Sequence, residues 1–225
     1  MIVIKRGKEP NSLLKFRKEN PDADYETDMP TDVLKDIREQ MWEEQRCLCA
    51  YCMKKIEAPN VVRIEHCRPR HPRGEQEYDK KATLDFKWML GVCYGNSLVR
   101  GVKPEDKTCD AHRGNIELTV NPFDELSVKK IKYKADGSIY SDDADINKDV
   151  TETLNLNCQA LSLPQTRKNV LMAEKNRIMR KCKGKSQDAF MRELERTYAS
   201  LVQERNLTPY CGIIISWLES KLKIS

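Results

Sequence analysis

Long apolar runs are missing from this chain of 225 residues. The longest near the N-terminus, within MIVIKRG, is far too short for a signal-peptide core. No run anywhere reaches the roughly 20 residues that span a bilayer. A cytoplasmic protein with no membrane partner is therefore expected. Aromatic residues are also scarce, at 7%, against 33% charged residues. With a mean hydropathy of −0.70, that balance implies a modest core under a heavily solvated surface. Internal repeats and low-complexity tracts are absent, so a solenoid or a long disordered tail is not indicated. The length suits one compact domain or two small ones.

Cysteine, by contrast, is plentiful, with nine in the chain. Without an export signal the thiols face a reducing compartment, where clustered cysteines more often bind metal than form disulfides. The net charge of +5 permits a polyanionic partner without demanding one. Only three histidines occur, and two of them fall within RCLCAYCMKKIEAPNVVRIEHCRPRHP, residues 46–72.

Local patterns give a coarse layout. A strand-like IVI and a helical SLLKFRK precede a polar stretch. A helix starting at Thr31 or Asp32 buries Val33, Leu34, Ile37, Met41 and Trp42 on one face. A cysteine knuckle follows, then two short strands, KKI and VVRIEH, and a basic, proline-bearing loop over 68–82. LDFKWMLGVC is the next apolar element. VKKIKYKADGSIYS reads as a hairpin about Asp136 and Gly137. Helices dominate from Asp149 on: TETLNLNCQAL, TRKNVLMAEKNRIMRKC, AFMRELERTYASLVQERN and GIIISWLESKL. The expected division is an N-terminal helical extension over 1–46, a knuckle-bearing core over 47–125, and a hairpin with helices over 126–225 packed on that core.

Cys49 and Cys52 form a CxxC, which can fill two corners of a tetrahedral zinc site. The second pair comes from Cys93, Cys109 and His112. Cys49, Cys52, Cys93 and Cys109 make the favoured structural zinc site. The rival set puts His112 in place of Cys93, since Cys109 and His112 form a CxxH. Cys47, Cys67, Cys158, Cys182 and Cys211 read as ordinary core or surface thiols.

Glu65 and His66 end the strand-like VVRIEH. A neutral imidazole can take a proton from water, and a carboxylate is a hard ligand suited to Mg²⁺ or Mn²⁺. Together they can activate water beside a cation that stabilises charge on a phosphate. Arg68, Arg70, His71 and Arg73 follow directly, and arginine forks suit phosphate. A solvated loop explains the same run equally well. A second basic run from Arg167 to Lys185 reads chiefly as a solvated helix face.

CAYC, RIEHCRPR, MLGVC and CDAHRGN, in that order, resemble the HNH (ββα-metal) endonucleases, and more closely the PtuB-like HNH proteins of Septu and retron anti-phage systems. NPFDE, DGSIY and LNLN are similar to that family too. The resemblance implies an α+β fold with a zinc-stapled ββα-metal core wrapped by N- and C-terminal helices. It implies that His66 is the general base, that Glu65 and Asp110 bind a catalytic Mg²⁺ or Mn²⁺, and that Cys49, Cys52, Cys93 and Cys109 bind zinc. It further implies a nucleic-acid substrate, a PtuA-like ATPase partner, and a retron reverse transcriptase with its RNA–DNA hybrid. One position departs from the family, which usually carries asparagine where this chain has Trp88; Asn96 and Asn115 are the candidates to brace the base instead. His112 remains open as a catalytic-metal ligand, a phosphate contact or a surface residue. An RNase acting on structured RNA such as tRNA, a non-catalytic zinc-finger binder and an adaptor for the ATPase are the other expectations.

Overall fold

The computed structural model describes residues 1–71, 79–203 and 207–224. It is an α+β structure of helices around two antiparallel two-stranded sheets. Helix α1 (Asn11–Glu19) leads to α2 (Thr31–Glu44), which follows Pro30. Val33, Ile37 and Met41 recur every four residues in α2, so one stripe is buried, as the periodicity predicts. Leu34 and Trp42 flank that stripe, half-buried, and the Trp42 indole donates to the Ile56 carbonyl at 2.8 Å.

The chain then turns sharply through Arg46 and Cys47, both with positive φ, into the knuckle. Strand β1 (Arg63–His66) pairs with β2 (Met89–Val92), setting Glu65 opposite Leu90 and His66 opposite Met89. Between them lies the short helix α3 (Lys80–Thr83), capped by the Asp79 side chain. Helix α4 (Asp110–Arg113) begins directly after Cys109. Helix α5 (Glu125–Lys129) precedes the hairpin of β3 (Ile131–Tyr133) and β4 (Ile139–Ser141). Gly137 turns this hairpin at φ 87°, and a Cβ there would lie 2.0 Å from the Pro164 carbonyl, so only glycine fits. Helix α6 (Ala144–Lys148) runs into a π turn over Asp149–Thr153. Helices α7 (Leu163–Lys181), α8 (Gln187–Gln203) and α9 (Gly212–Leu222) complete the chain.

Two hydrophobic clusters hold these elements. The first draws residues from Met1 to Leu156, including all of the elements around β1 and β2. The segments expected at 1–46, 47–125 and 126–225 all contribute to it. The second joins α7, α8 and α9 through Leu171, Ile178, Leu194 and Leu218, with Ile213 and Ile214 buried alongside. Leu48 and Met53 reach into it from the knuckle, and the Tyr210 amide donates to the Met53 carbonyl at 3.0 Å.

Three local expectations differ from the structure. IVI is not a strand; among the described contacts its Ile4 amide pairs with the Pro122 carbonyl, outside any ladder. KKI contributes one isolated bridge, Leu48 to Lys55, because the knuckle closes its own turn before a ladder extends. TETLNLNCQAL is a π turn and loop rather than an α-helix. The Asp149 carboxylate accepts the Thr119 and Val120 amides, and the Asn157 side chain bonds both backbone groups of Ile139. Such side chains compete with helical hydrogen bonds. Among the described residues no helix is long and apolar enough to cross a membrane.

Candidate functional site

The sulfurs of Cys49, Cys52, Cys93 and Cys109 all lie within 4.8 Å of one another. Contacts of 3.9 Å (Cys49 to Cys109), 3.7 Å (Cys52 to Cys93) and 3.8 Å (Cys93 to Cys109) are far too long for disulfides. They match the separation of about 3.8 Å that a tetrahedral zinc with Zn–S bonds of about 2.3 Å imposes. The four cysteines could therefore hold a metal such as zinc. None of the nine cysteines is in a disulfide.

Backbone geometry builds this cluster. The Cys49 amide donates to the Lys54 carbonyl at 2.9 Å and the Met53 amide back to the Cys49 carbonyl at 3.0 Å. Met53 takes a positive φ, which lets the Lys54 amide reach the Cys52 sulfur at 3.4 Å. The Ala50 amide donates to the Gly91 carbonyl at 3.0 Å, seating the knuckle on β2, whose strand then delivers Cys93. The loop between Cys93 and Cys109 is locked by a bond from the Thr108 amide to the Gly95 carbonyl at 3.0 Å. A Cβ at Gly95 would fall 2.0 Å from the Thr108 carbonyl oxygen, so this approach requires glycine. Crowding splits the acidity of the thiols. Hydrogen bonds from Cys109, Cys49 and Cys52 hold Cys93 well below the usual thiol range, while the bond to Cys49 keeps Cys109 well above it. A cation shared by four thiolates removes that conflict.

His112 is not in the cluster. Its Nδ1 lies 3.0 Å from the Thr153 carbonyl. Of the two ligand sets read from the sequence, the structure gathers the one containing Cys93.

One residue beyond Cys109, a polar cluster begins. Glu65 is 7% exposed and forms an ion pair with Arg113. Its carboxylate also accepts the Tyr51 hydroxyl at 3.2 Å, from within the knuckle itself. Burial, then the charge of Asp110, pushes Glu65 up to about 8 against the opposing pull of Arg113. Asp110 also shares a hydrogen bond with Glu65 and pairs with Arg63 at 2.6 Å. Two carboxylates thus meet at the start of α4, each with its own arginine partner, Arg113 for Glu65 and Arg63 for Asp110.

Adjacent strand residues face opposite ways, and the Glu65–His66 pair obeys that rule. His66, 4% exposed, points instead toward Thr83 and Tyr25. Its Nε2 lies 2.8 Å from the Thr83 carbonyl. A carbonyl only accepts, so Nε2 carries the proton and Nδ1 keeps its lone pair. Burial lowers its pKa to about 4, so the ring is neutral at physiological pH. The Tyr25 ring stands edge-on to it, centroids 4.6 Å apart.

The basic residues divide. Arg68 is exposed. Arg70 pairs with Glu26 at 2.6 Å and lies over the Tyr25 ring at 5.2 Å, and His71 also approaches Glu26. Arg73 falls outside the described residues. Arg167 is buried and bonds the carbonyls of Gly137 and Leu156, so it staples the fold rather than facing a ligand. Arg177 and Lys181 are engaged with Glu193.

Sequence reasoning missed Tyr51, Thr83, Arg113 and Tyr25. Arg113 had a signal, since it stands three residues after Asp110 on the same helix face. The Thr83 carbonyl had none, because a backbone acceptor carries no side-chain signature. It does the bracing expected of Asn96 or Asn115; Asn96 bonds the Asp106 carbonyl instead. Trp88 contributes its carbonyl, which accepts the Cys67 amide at 2.8 Å. No model of a known protein family matches the chain, and a comparison with curated proteins finds no match.

Proposed function

We propose that this protein is a metal-dependent endonuclease of the HNH type, hydrolysing phosphodiester bonds in DNA or RNA. One observation carries the reading: a neutral imidazole with a free Nδ1 ends the same strand that brings a buried carboxylate against Asp110. A cation bound by Glu65 and Asp110 would stabilise charge developing on the phosphate. His66 Nδ1 takes the proton of the attacking water. Arg68 and Arg70 hold the flanking phosphates. The four cysteines hold zinc and keep β2, α4 and the knuckle in register.

His66 is covered by Tyr25, so its base must be uncovered for turnover. Arg70 ties the covering segment down through Glu26 and the Tyr25 face. A phosphate that competes with Glu26 for Arg70 loosens that tie, which couples substrate binding to exposure of the base. The likeness to PtuB-like proteins extends the proposal to a cytoplasmic anti-phage complex with a PtuA-like ATPase, and to a retron reverse transcriptase with its RNA–DNA hybrid. Structured RNA such as tRNA is a substrate within this reading.

The burial of both Glu65 and His66 favours a second reading, a zinc-knuckle module that binds nucleic acid, or serves as an adaptor for the ATPase, without cutting. One experiment separates them. The purified chain, alone and with an ATPase encoded beside it, is incubated with DNA and RNA panels, with and without Mg²⁺ or Mn²⁺. Cation-dependent cleavage supports the nuclease; tight binding without cleavage in any arm supports the binder.

A further inference from the structure

Arg113 closes α4, and it is among the largest fully buried side chains of the described residues. Its guanidinium spends its donors on five residues, three of them consecutive. Nε donates to the Ile116 carbonyl at 2.7 Å, which fixes the guanidinium plane. One terminal nitrogen bonds the Glu65 carboxylate, the His66 carbonyl at 2.9 Å and the Tyr51 hydroxyl at 3.3 Å. The other bonds the Cys67 carbonyl at 2.7 Å. A single cation thus grips three consecutive residues at the end of β1.

That grip joins the parts of the proposed site. Arg113 rides on the helix that begins with Asp110, and its acceptors belong to Glu65, to His66 and to the residue after it. Bonds to the His66 and Cys67 carbonyls fix the peptide planes on both sides of Cys67, and with them the direction in which His66 leaves the strand. Lysine offers a single point charge and cannot span these acceptors. The guanidinium is buried, so it meets no substrate.

We infer that Arg113 is a positioning residue that holds Glu65 beside Asp110, fixes the direction in which His66 leaves the strand, and controls the rate of hydrolysis without contributing to substrate binding. The inference rests on the nuclease reading above. Outer partners of metal ligands are typically worth roughly 10- to 100-fold in activity.

The test uses the full chain on whichever nucleic acid the wild type cleaves. Arg113→Lys and Arg113→Gln are compared with wild type for metal content, melting temperature, kcat and KM. The expected result is a folded, metal-loaded Arg113→Lys protein whose kcat falls roughly 10- to 100-fold at unchanged KM. Millimolar methylguanidinium is expected to recover activity in Arg113→Gln but not in His66→Ala. A folded Arg113→Lys protein with wild-type kcat overturns this inference alone, as does a loss confined to KM. Failure of both variants to fold with wild-type metal content assigns Arg113 to the fold and also overturns it. A wild type that cleaves nothing with either cation overturns the nuclease reading and this inference together.

Discussion

The cysteine cluster and the cluster around Glu65 are built from the same pieces of chain, yet they are satisfied in opposite ways. Cys109 and Asp110 are neighbours, and Tyr51, between Cys49 and Cys52, touches Glu65. The first cluster gathers four like groups whose thiolates repel and which offer no cation of their own. The second mixes signs: Glu65 and Asp110 face Arg113 and Arg63, and every charge has a protein partner. A cluster of like acids is incomplete without an ion, whereas the mixed cluster is balanced as it stands. Metal bound in the first would therefore be part of folding, and a cation in the second would have to compete with existing partners.

The sharpest way to break this comparison is to remove the metal. Elemental analysis is expected to find about one zinc per chain. Metal release through Cys49→Ser, Cys109→Ser or a strong chelator is expected to cost several kcal/mol, because site formation and folding are linked. At roughly 2–4 °C per kcal/mol for a chain of this size, the melting temperature falls by about 10 °C or more. A metal-free protein that melts like wild type would show that the thiols pack as ordinary core residues.

The mixed cluster predicts the reverse pattern. His66→Ala is expected to keep the metal and the fold while cleavage drops by ~10²- to 10⁴-fold, the usual worth of a general base. Unchanged cleavage by folded His66→Ala protein would move the base elsewhere, with His71 and His112 the remaining imidazoles.

Acid stability sharpens the comparison further, because His66 is buried in its neutral form. Its pKa falls from 6.5 to about 4 on burial. A group with a depressed folded pKa contributes stability that is complete above 6.5 and is lost as pH falls toward 4. The full loss is on the order of 3 kcal/mol. Glu65, pushed up to about 8, contributes in the opposite sense over the same range, so the readout is the difference between wild-type and His66→Ala denaturant melts, which is expected to change by about that amount between pH 7 and 4. Tyr25→Ala rehydrates the ring, so the His66 pKa is expected to rise toward its ordinary value in an NMR titration. No movement would mean that Tyr25 is not what shields the base.

How much of this was legible in the sequence follows the same division. Thiol spacing is a side-chain signal, and the CxxC of Cys49 and Cys52 and the α2 stripe were readable because each is a short local pattern. The α+β class and the Asp136–Gly137 hairpin were readable for the same reason. The surroundings of Glu65 and His66 were not, because their partners are a carbonyl on α3, a tyrosine from the polar 20–30 segment and an arginine whose burial no local pattern announces. KKI and TETLNLNCQAL failed where side chains and a tight knuckle took over hydrogen bonds that a regular element would have used. Propensity carries no account of that competition.

The smallest effect tests which ligand completes the metal centre. His112 donates from Nδ1 to the Thr153 carbonyl, since that oxygen can only accept. Its role is to tie α4 to the π turn, and a second bond, from the Cys109 amide to the Leu154 carbonyl at 2.9 Å, makes the same connection. His112→Ala therefore removes one of two tethers, and the cost is expected to be about 1 kcal/mol, the net worth of a single hydrogen bond. Metal content stays at the wild-type value, because no sulfur loses its place. Cys93→Ser, by contrast, removes a corner of the tetrahedron and is expected to reproduce the Cys109→Ser loss. If His112→Ala releases the metal and Cys93→Ser retains it, the centre is a three-thiolate, one-imidazole site. In that case α4 has to rotate His112 away from Thr153 whenever metal is bound.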